Sequence, residues 1–525
     1  MIIMETILTI IFAVIAAVWV CVKLGYELQM FQQNSYRNER YFKWFGKNYA
    51  SLDRIVELSA MVAIAIVWLA GISKMWLAVP SLMQLALTYK TLTRKSKVKL
   101  KFTSRAKRLY FTSLAIIVIG IAANVYYNGL MGGLLTAAID GVLTCIILPL
   151  ANIIMKPVEN HINQWYINDA KRILNEHPDL IIVGITGSYG KTSTKHFLET
   201  ILSQKYNVLM TPGSFNTTMG VVRTIREYLK PTHQVFICEM GAKQIGDIKE
   251  ICDLVHPKFG ILTSVAEQHL DTFKNIENVR KTKFELVDSL PADGCAFLNA
   301  DYEIIRTTNH GKPAKYYSTT DKSANYYVDM EKLAYSQDGT DFGVIIDGNS
   351  PLAMRTPLLG DYNISNILAC VACARELGLS DEQISFGVHK LRPVEHRMEI
   401  KPNAAGVVII DDAFNSNPKG AKMALEVLSG FQGRRFVITP GIIELGDKQY
   451  FYNEQLGEQI ADCVDYAILV GAKQTAPIHD GLLKKQFPAD KTYIAQNLND
   501  AAQWAFARAN PGDVVLFEND LPDLF

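Results

Sequence analysis

The chain has 525 residues and a formal net charge of +1. Its length allows three or four domains, and its balanced charge argues against a nucleic-acid partner. Hydrophobic residues make up 49% of the chain, and they are concentrated in residues 1–155, whereas the remainder is typical of a water-soluble protein. The eight cysteines are scattered, which favours a reducing compartment over a disulfide framework.

The N-terminal region contains several apolar stretches, at 6–24, 55–71, 73–89, 109–127 and 130–154. Several of them reach the roughly 20 residues that cross a bilayer. We therefore predict about five transmembrane helices, although the second and third are short enough for a re-entrant hairpin. The first stretch lacks a basic flank and is followed by further apolar stretches, so it is not a cleavable signal peptide.

Basic loops predict how these helices are oriented. Residues 90–108 hold nine Lys or Arg and no acidic residue, and residues 32–54 hold five basic residues. The positive-inside rule places both loops, and everything after Lys156, in the cytoplasm. The segment 90–108 could also contact anionic membrane lipids, but a role in topology is favoured. Asp140 could contact a substrate headgroup or pair with Asn124, and the sequence leaves this open.

The next region carries a glycine loop between a strand and a helix. The apolar run 180–185 predicts a buried strand, Thr-Gly-Ser-Tyr-Gly-Lys-Thr-Ser follows at 186–193, and a helix is predicted from Thr194. Backbone N–H groups of such a loop bind phosphate oxygens, Lys191 can reach the β and γ phosphates, and Thr192 can bind magnesium. The standard motif has glycine where Ile185 stands, so an ordinary strand-to-helix turn is the alternative.

This loop resembles the phosphate loop of the Mur ligases, which join amino acids or peptides to cell-wall precursors. The resemblance implies an ATP-dependent, ADP-forming carboxylate–amine ligase that works through an acyl phosphate and uses ATP and Mg²⁺. The predicted fold class is an α-helical transmembrane region followed by α/β domains. We predict transmembrane helices at 1–155, a linker helix at 156–178, a central P-loop ATPase domain at 179–394 and a C-terminal Rossmann-like domain at 395–525. The loop residues expected to bind the nucleotide are Thr186, Gly187, Ser188, Gly190, Lys191, Thr192 and Ser193.

The resemblance also implies a metal site. Glu239 ends a predicted buried strand and matches the family's magnesium-binding glutamate, and His269 matches a metal-binding histidine. Lys283 lies in a stretch similar to the family's Ala-Lys-Gly-Glu, where the lysine is carbamylated and helps to bind a second magnesium. The expected catalytic residues are Lys191, Glu239, His269 and Lys283, and the expected metal ligands are Thr192, Glu239, His269 and Lys283.

Three further motifs resemble nucleotide contacts of the family. Asn366 would contact adenine, although the neighbouring Asn363 also suits a helix N-cap. Arg397 would reach the ribose or phosphate. Asp412 and Asn415 would lie over the nucleotide, in a segment similar to that of the family member that adds D-alanyl-D-alanine. The family's Lys-Gly-Ser stretch is replaced here by Phe517-Glu518-Asn519, so the sequence does not identify the amine.

The front of the chain suggests where the carboxylate substrate resides. Mur ligases begin with a soluble domain that binds UDP, and residues 1–155 do not resemble it. We therefore predict a multi-pass membrane protein with cytoplasmic catalytic domains, acting on a cell-wall peptide or lipid-linked precursor with an amino acid or dipeptide as the amine. The alternatives are a poly-γ-glutamate-type polymer ligase and a catalytically inactive nucleotide-binding scaffold. Cys370 and Cys373 form a CxxC, for which core packing is favoured over zinc.

Overall fold

The fold is known from a computed structural model that describes residues 2–48, 52–94, 98–336, 339–358, 360–402, 406–413 and 416–519. The chain divides into two compact units, Met1–Gln164 and Trp165–Asp520. One predicted site residue, Asn415, lies outside the described residues.

The N-terminal unit is helical. Its helices are α1 (Ile2–Gln33), α2 (Asn38–Asn48), α3 (Leu52–Leu69), α4 (Ala78–Thr93) and most of α5 (Ser104–Asn175), which extends beyond Gln164. Helix α5 is interrupted at Gly129, whose φ of 67° and ψ of −170° divide it into two arms. The described residues contain two helices that are long and apolar enough to cross a membrane, Glu5–Gln33 and Ser104–Asn175.

The predicted apolar stretches differ in how far they match these helices. Helix α3 begins with the charged residues Asp53, Arg54 and Glu57, and α4 has 16 residues, which is short of the roughly 20 that span a bilayer. The second arm of α5 continues to Asn175, so the predicted linker at 156–178 is largely an extension of the last apolar helix. The five-span count therefore remains a prediction.

The first sheet lies in the second unit and has nine strands in the order β2-β3-β1-β4-β5-β6-β7-β8-β9. The pairs from β2 to β7 are parallel, and β8 and β9 add antiparallel strands. Helices cover this sheet because its apolar strands need burial on both faces. In chain order the elements are β1 (Ile181–Thr186), α6 (Lys191–Leu202), β2 (Val208–Met210), α7 (Thr218–Tyr228), β3 (Val235–Glu239), α8 (Asp247–Val255), β4 (Phe259–Leu262), α9 (Leu270–Phe273), α10 (Ile276–Asp288), β5 (Cys295–Asn299), α11 (Glu303–Arg306), β6 (Ala314–Ser318), β7 (Tyr326–Ser336), β8 (Gly339–Ile346), β9 (Leu352–Thr356), α12 (Asp361–Glu376) and α13 (Asp381–His389).

The second sheet has six strands in the order β10-β11-β15-β12-β13-β14, and only β10 is antiparallel to its neighbour among the described strands. The α/β character predicted for both regions is confirmed. The elements are β10 (Glu399–Pro402), β11 (Val408–Asp412), α14 (Pro418–Ser429), β12 (Arg435–Thr439), α15 (Gln449–Cys463), β13 (Tyr466–Val470), α16 (Ala476–Lys484), β14 (Thr492–Ala495), α17 (Leu498–Phe506) and β15 (Val514–Glu518).

Helix α12 resolves two alternatives that the sequence left open. Its N-cap is Gly360, with a φ of 91°, and Asn363 lies inside the first turn, so the N-cap interpretation of Asn363 is wrong. Cys370 and Cys373 are buried free thiols in the core cluster that packs against the first sheet. Burial accounts for both cysteines, as core packing predicted.

Candidate functional site

The phosphate-type loop connects β1 to α6 at the carboxyl edge of the parallel strands. Gly190 caps α6 with a φ of 82°, a conformation that costs glycine little. A Cβ at this position would lie 2.6 Å from Oδ1 of Asn366. Glycine is therefore required at position 190 for two independent reasons, backbone conformation and close packing.

Hydrogen bonds fix the rest of the loop. Thr186 donates its hydroxyl to the Met240 carbonyl at 2.9 Å, and Ser188 donates its hydroxyl to the Ala266 carbonyl at 2.9 Å. The Tyr189 N–H donates to the Ser264 hydroxyl at 2.9 Å. The segments after β3 and β4 thus hold the loop in place.

Lys191 lies over this loop. Its Nζ donates to the carbonyls of Gly187, at 2.6 Å, and Ser188, at 3.3 Å. Burial lowers the pKa of Lys191 to about 8, against the opposing effect of Glu239. The ammonium group is therefore held at the loop by backbone dipoles and a nearby carboxylate.

Glu239 ends β3 beside Ile185 of β1 and is 1% exposed. Its Oε1 accepts hydrogen bonds from the Thr192 hydroxyl at 3.3 Å and the Asn216 amide at 3.0 Å. Its Oε2 is 3.0 Å from Nζ of Lys195. Burial alone would raise the pKa of Glu239, but Lys195 and Lys191 outweigh it, and the pKa is lowered. The side chain is therefore a buried carboxylate anion.

Lys195 was not among the predicted site residues. It is fully buried, and besides Glu239 it contacts the Gly213 carbonyl at 2.6 Å. A buried lysine is rare unless it is paired. One sequence signal could have identified it, since it lies four residues after Lys191 and therefore on the same face of α6.

His269 stands at the start of α9, and its Nδ1 contacts the carboxylate of Glu444 from the C-terminal sheet region. Burial lowers the pKa of His269, although Glu444 opposes this shift. In the neutral ring, Nδ1–H donates to Glu444, and the lone pair of Nε2 can then bind a metal. The pairing of Glu444 with His269 was not predicted from the sequence.

Lys283 is 2% exposed on α10. Burial, followed by the charge of Lys191, lowers its pKa well below the ordinary value. It interacts electrostatically with both Lys191 and His269. The structure therefore brings Lys283, His269, Lys191 and Glu239 into one neighbourhood, although they are up to 92 residues apart in sequence.

These residues fit a magnesium ion. Glu239 and Thr192 offer hard oxygen donors, and Mg²⁺ is commonly held by one or two carboxylates together with water and substrate phosphates. Within the described part of the chain, no three His, Cys, Asp or Glu side chains form a metal cluster. A metal here would therefore depend on Thr192, Lys283 and phosphate oxygens in addition to Glu239 and His269.

A cavity of about 280 Å³ adjoins the loop. It is lined by five predicted residues, namely Gly190, Ser193, Asn366, Arg397 and Asp412. Asn366 accepts a hydrogen bond from the Thr194 hydroxyl at 3.2 Å. The cavity is also lined by Tyr302 and by Lys419, whose Nζ lies 3.9 Å from the centre of the Tyr302 ring. Neither of these two was predicted.

Arg397 and Asp412 bring opposite charges to this cavity. Burial lowers the pKa of Arg397, while Asp412 and Glu239 oppose the shift. Burial raises the pKa of Asp412 to about 6 although Arg397 opposes it, and the carboxylate accepts a hydrogen bond from the Met398 N–H at 3.2 Å. A cationic and an acidic side chain are therefore buried together at this cavity.

Further contacts join the regions of the two sheets beside the loop. Glu267 is 2.6 Å from Nζ of Lys448 and accepts a hydrogen bond from the Tyr452 hydroxyl. Together with the His269–Glu444 contact, they connect the regions of the two sheets on one side of the loop. No local pattern indicates these contacts, because each joins residues about 180 positions apart.

Comparison with known proteins identifies both regions. The Mur ligase middle domain matches residues 185–374, and the Mur ligase glutamate ligase domain matches residues 396–518. The UDP-N-acetylmuramoyl-tripeptide–D-alanyl-D-alanine ligase of Mycobacterium tuberculosis (strain CDC 1551 / Oshkosh) is 30% identical over 363 residues, which are 64% of this chain and 70% of that protein. The enzyme of the same name from Bacillus subtilis (strain 168) is 27% identical over 340 residues, covering 64% and 72%.

Solved structures share the fold. The MurF ligase from Thermotoga maritima in complex with ADP superposes with a TM-score of 0.61 at 24% identity, covering 68% of this chain and 80% of that one. A pseudomurein peptide ligase type C from Methanothermus fervidus gives a TM-score of 0.53 at 18% identity, covering 66% and 78%. With both domain models and a relative at 30% identity in agreement, this chain belongs to the Mur ligase family, whose members are ATP-dependent, ADP-forming amide ligases.

Proposed function

We propose that this ligase joins the amino group of an amino acid or dipeptide to the carboxylate of a cell-wall peptide precursor. The observation that carries this proposal is the convergence of Lys191, Thr192 and Glu239, with His269 and Lys283 nearby, at the phosphate-type loop. The names of the relatives favour D-alanyl-D-alanine as the amine. The segment 411–418, which resembles that of the D-alanyl-D-alanine-adding enzyme, agrees with them.

The chemistry begins with attack of the precursor carboxylate on the γ-phosphate of ATP. The N–H groups of the loop residues Thr186 to Ser193 would bind the phosphates, and Lys191 would neutralise charge on the phosphoryl group as it transfers. This attack by the carboxylate forms the acyl phosphate and releases ADP. The amine then attacks the acyl carbon, and the new amide forms as phosphate and a proton leave. Attack requires an unprotonated amine, so a proton leaves the ammonium form before the bond is made.

We assign the magnesium ligands to Thr192, Glu239, His269 and a carbamylated Lys283. When bound, magnesium would polarise the phosphoryl oxygens and stabilise the charge that develops on them. Glu444 would orient His269 through Nδ1, and Lys195 would hold the carboxylate of Glu239 in position. Asn366 would contact adenine, while Arg397, Asp412 and Asn415 would contact the rest of the nucleotide.

Contacts between the two sheet regions support protection of the acyl phosphate. Acyl phosphates hydrolyse in water, so the site needs to exclude it while the amine arrives. The ion pair of Glu267 with Lys448 and the contact of His269 with Glu444 hold the two regions together beside the loop.

Lys283 provides a test of carbamylation, because its lowered pKa favours the neutral amine that reacts with carbon dioxide. We expect Lys283→Met to lower kcat by about 100-fold, since one charged group of the phosphoryl-transfer site is lost. Carbon NMR with isotopically labelled bicarbonate should give a carbamate signal in the wild type that is absent from Lys283→Met. Lys281→Met, an exposed position on the same helix, should retain both activity and signal. If Lys283→Met lost activity but the wild type gave no carbamate signal, the proposed carbamylation would be wrong.

Glu444 provides a test of histidine orientation. Replacing a carboxylate that orients a metal-binding histidine typically weakens metal affinity by about 10- to 100-fold. We therefore expect Glu444→Gln to raise the Mg²⁺ concentration needed for half-maximal activity by that factor. Glu458→Gln, which removes a charge elsewhere in the same region, is the control. An unchanged Mg²⁺ requirement in Glu444→Gln would remove His269 from the proposed ligands.

We further propose that residues 1–155 span a membrane several times, with residues 179–394 and 395–525 as the catalytic domains in the cytoplasm. Helix α1 exposes Ile7, Ile11, Val14 and Val18 along one face. Such a stripe is costly in water and stable against lipid tails. The basic loops at 32–54 and 90–108 favour the cytoplasmic orientation. A membrane-attached ligase would suit a lipid-linked precursor.

One reaction series tests the function and the lipid proposal separately. The purified full-length protein is supplied with ATP, Mg²⁺ and D-alanyl-D-alanine, together with soluble UDP-muramoyl-tripeptide or its lipid-linked counterpart. We expect phosphate release to require both a carboxylate and an amine, and to be faster with the lipid-linked acceptor. Equal rates would overturn the lipid proposal, while release that ignores both substrates would overturn the ligase assignment.

A further inference from the structure

The helical N-terminal unit contains a cavity of about 510 Å³ that the ligase chemistry does not use. Its walls come from the C-terminal parts of α1, α2 and α4 and from the N-terminal part of α3. These parts lie beside or within the basic segments 32–54 and 90–108.

Four buried charges form one wall of this cavity. Lys23 lies 2.7 Å from Glu57 and 3.4 Å from Glu27, and Arg54 lies 2.8 Å from Glu57 and 3.4 Å from Glu27. All four residues are at most 9% exposed. Charges buried in an apolar bundle carry a large desolvation cost even when they are paired, and a polar ligand in the adjoining cavity would offset part of it.

The other wall carries an excess of positive charge. Lys90 pairs with Asp53 at 2.6 Å. Arg94 donates to the Tyr26 hydroxyl at 2.8 Å and lies 5.0 Å from the centre of its ring. The lining thus has four cationic and three acidic side chains. Each carboxylate already has a cation beside it, so the remaining positive charge is that of Arg94.

The residues around the cavity are of the types found at a membrane boundary. It opens among helix ends joined to the two most basic segments, and its lining includes the aromatic rings of Tyr26, Trp44 and Phe45. Lys and Arg beside aromatic rings are typical of the level at which lipid headgroups lie. Arginine also binds phosphate through charge-assisted hydrogen bonds.

We propose that this cavity binds the phosphate-bearing headgroup of an anionic amphiphile, with Arg94 and Lys90 as its principal contacts. The inference rests on the proposed membrane attachment and not on the ligase chemistry. The shared chemistry is a phosphate group, which either a lipid headgroup or free phosphate supplies.

Native mass spectrometry of the full-length protein in a neutral detergent tests this site. The probes are a short-chain phosphatidic acid, the phosphatidylcholine with the same chains, and inorganic phosphate as competitor. We expect the wild type to retain one phosphatidic acid in preference to phosphatidylcholine. Arg94→Gln should bind it about tenfold more weakly, because one charge-assisted contact is lost. Displacement by inorganic phosphate would assign recognition to the phosphate itself, and its failure to displace would assign it to the complete lipid.

The matched control is Lys107→Gln, which removes the same charge from an exposed residue of segment 90–108 outside the cavity. It should bind phosphatidic acid like the wild type. Equal loss in both variants, undiminished binding by Arg94→Gln, or equal retention of phosphatidylcholine would overturn the site. Ligation of soluble precursor, measured on the same Arg94→Gln protein, shows separately whether the ligase proposal fails.

Discussion

Replacing Lys191 with methionine should lower kcat by about 10³-fold while leaving the folded structure intact. The ammonium group lies over the loop carbonyls, where it can neutralise the negative charge of the phosphoryl group during its transfer. Removing one preorganised group that stabilises such charge typically costs about 10²–10³ in rate. Methionine keeps the length of the side chain and tolerates burial, so thermal unfolding should change little. Phosphate release and amide formation should fall together.

The control for Lys191 is Lys249→Met. Lys249 is an exposed lysine on α8 that pairs with Asp253 at 2.9 Å, and exposed pairs contribute only about 0–1 kcal/mol. Its loss should leave kcat unchanged. Lys191→Met with more than a tenth of the wild-type rate would remove the loop from the proposed chemistry.

Replacing Glu239 with glutamine should impair both activity and stability. We expect kcat to fall by about 100-fold or more, because the proposed magnesium site loses its carboxylate. The same change leaves the fully buried Lys195 without its carboxylate. Breaking a buried ion pair from one side costs about 3–5 kcal/mol, which denaturant unfolding would detect.

A double variant separates these two effects. Lys195→Met combined with Glu239→Gln removes both charges, so most of the lost stability should return while activity stays low. Glu227→Gln breaks an exposed pair with Arg223 and serves as the control. If the double variant regained activity together with stability, Glu239 would be a structural residue and the metal assignment would fail.

Local sequence patterns were sufficient for the strands and the loop. The apolar runs before Thr186 and around Ile237 became β1 and β3, because buried parallel strands are continuous in apolar character. The glycine loop was recognisable despite Ile185, since the strand and helix around it were both evident. Patterns were less informative in the helical unit, because the apolar helix α3 begins with charged residues and the apolar helix α4 has only 16 residues.

Contacts between segments that are distant in the chain could not be predicted from local sequence patterns. The pairing of His269 with Glu444, the lining of the 280 Å³ cavity by Tyr302 and Lys419, and the buried charge cluster around Lys23 each join separate elements. A sequence pattern reports the environment of a residue through its neighbours along the chain. It carries no signal for a partner supplied by another strand or helix.

The amino-acid sequence was enough to establish the family, the α/β character of residues 181–518 and the strand–loop–helix arrangement around Lys191, because these depend on local periodicity and on residues close together in the chain. Only the folded molecule shows that Lys195 pairs with Glu239, that Glu444 contacts His269, and that α5 extends to Asn175, through most of the predicted linker. The physical reason is that a buried charge is stable only beside a partner, and strand order and helix packing decide which partner that is.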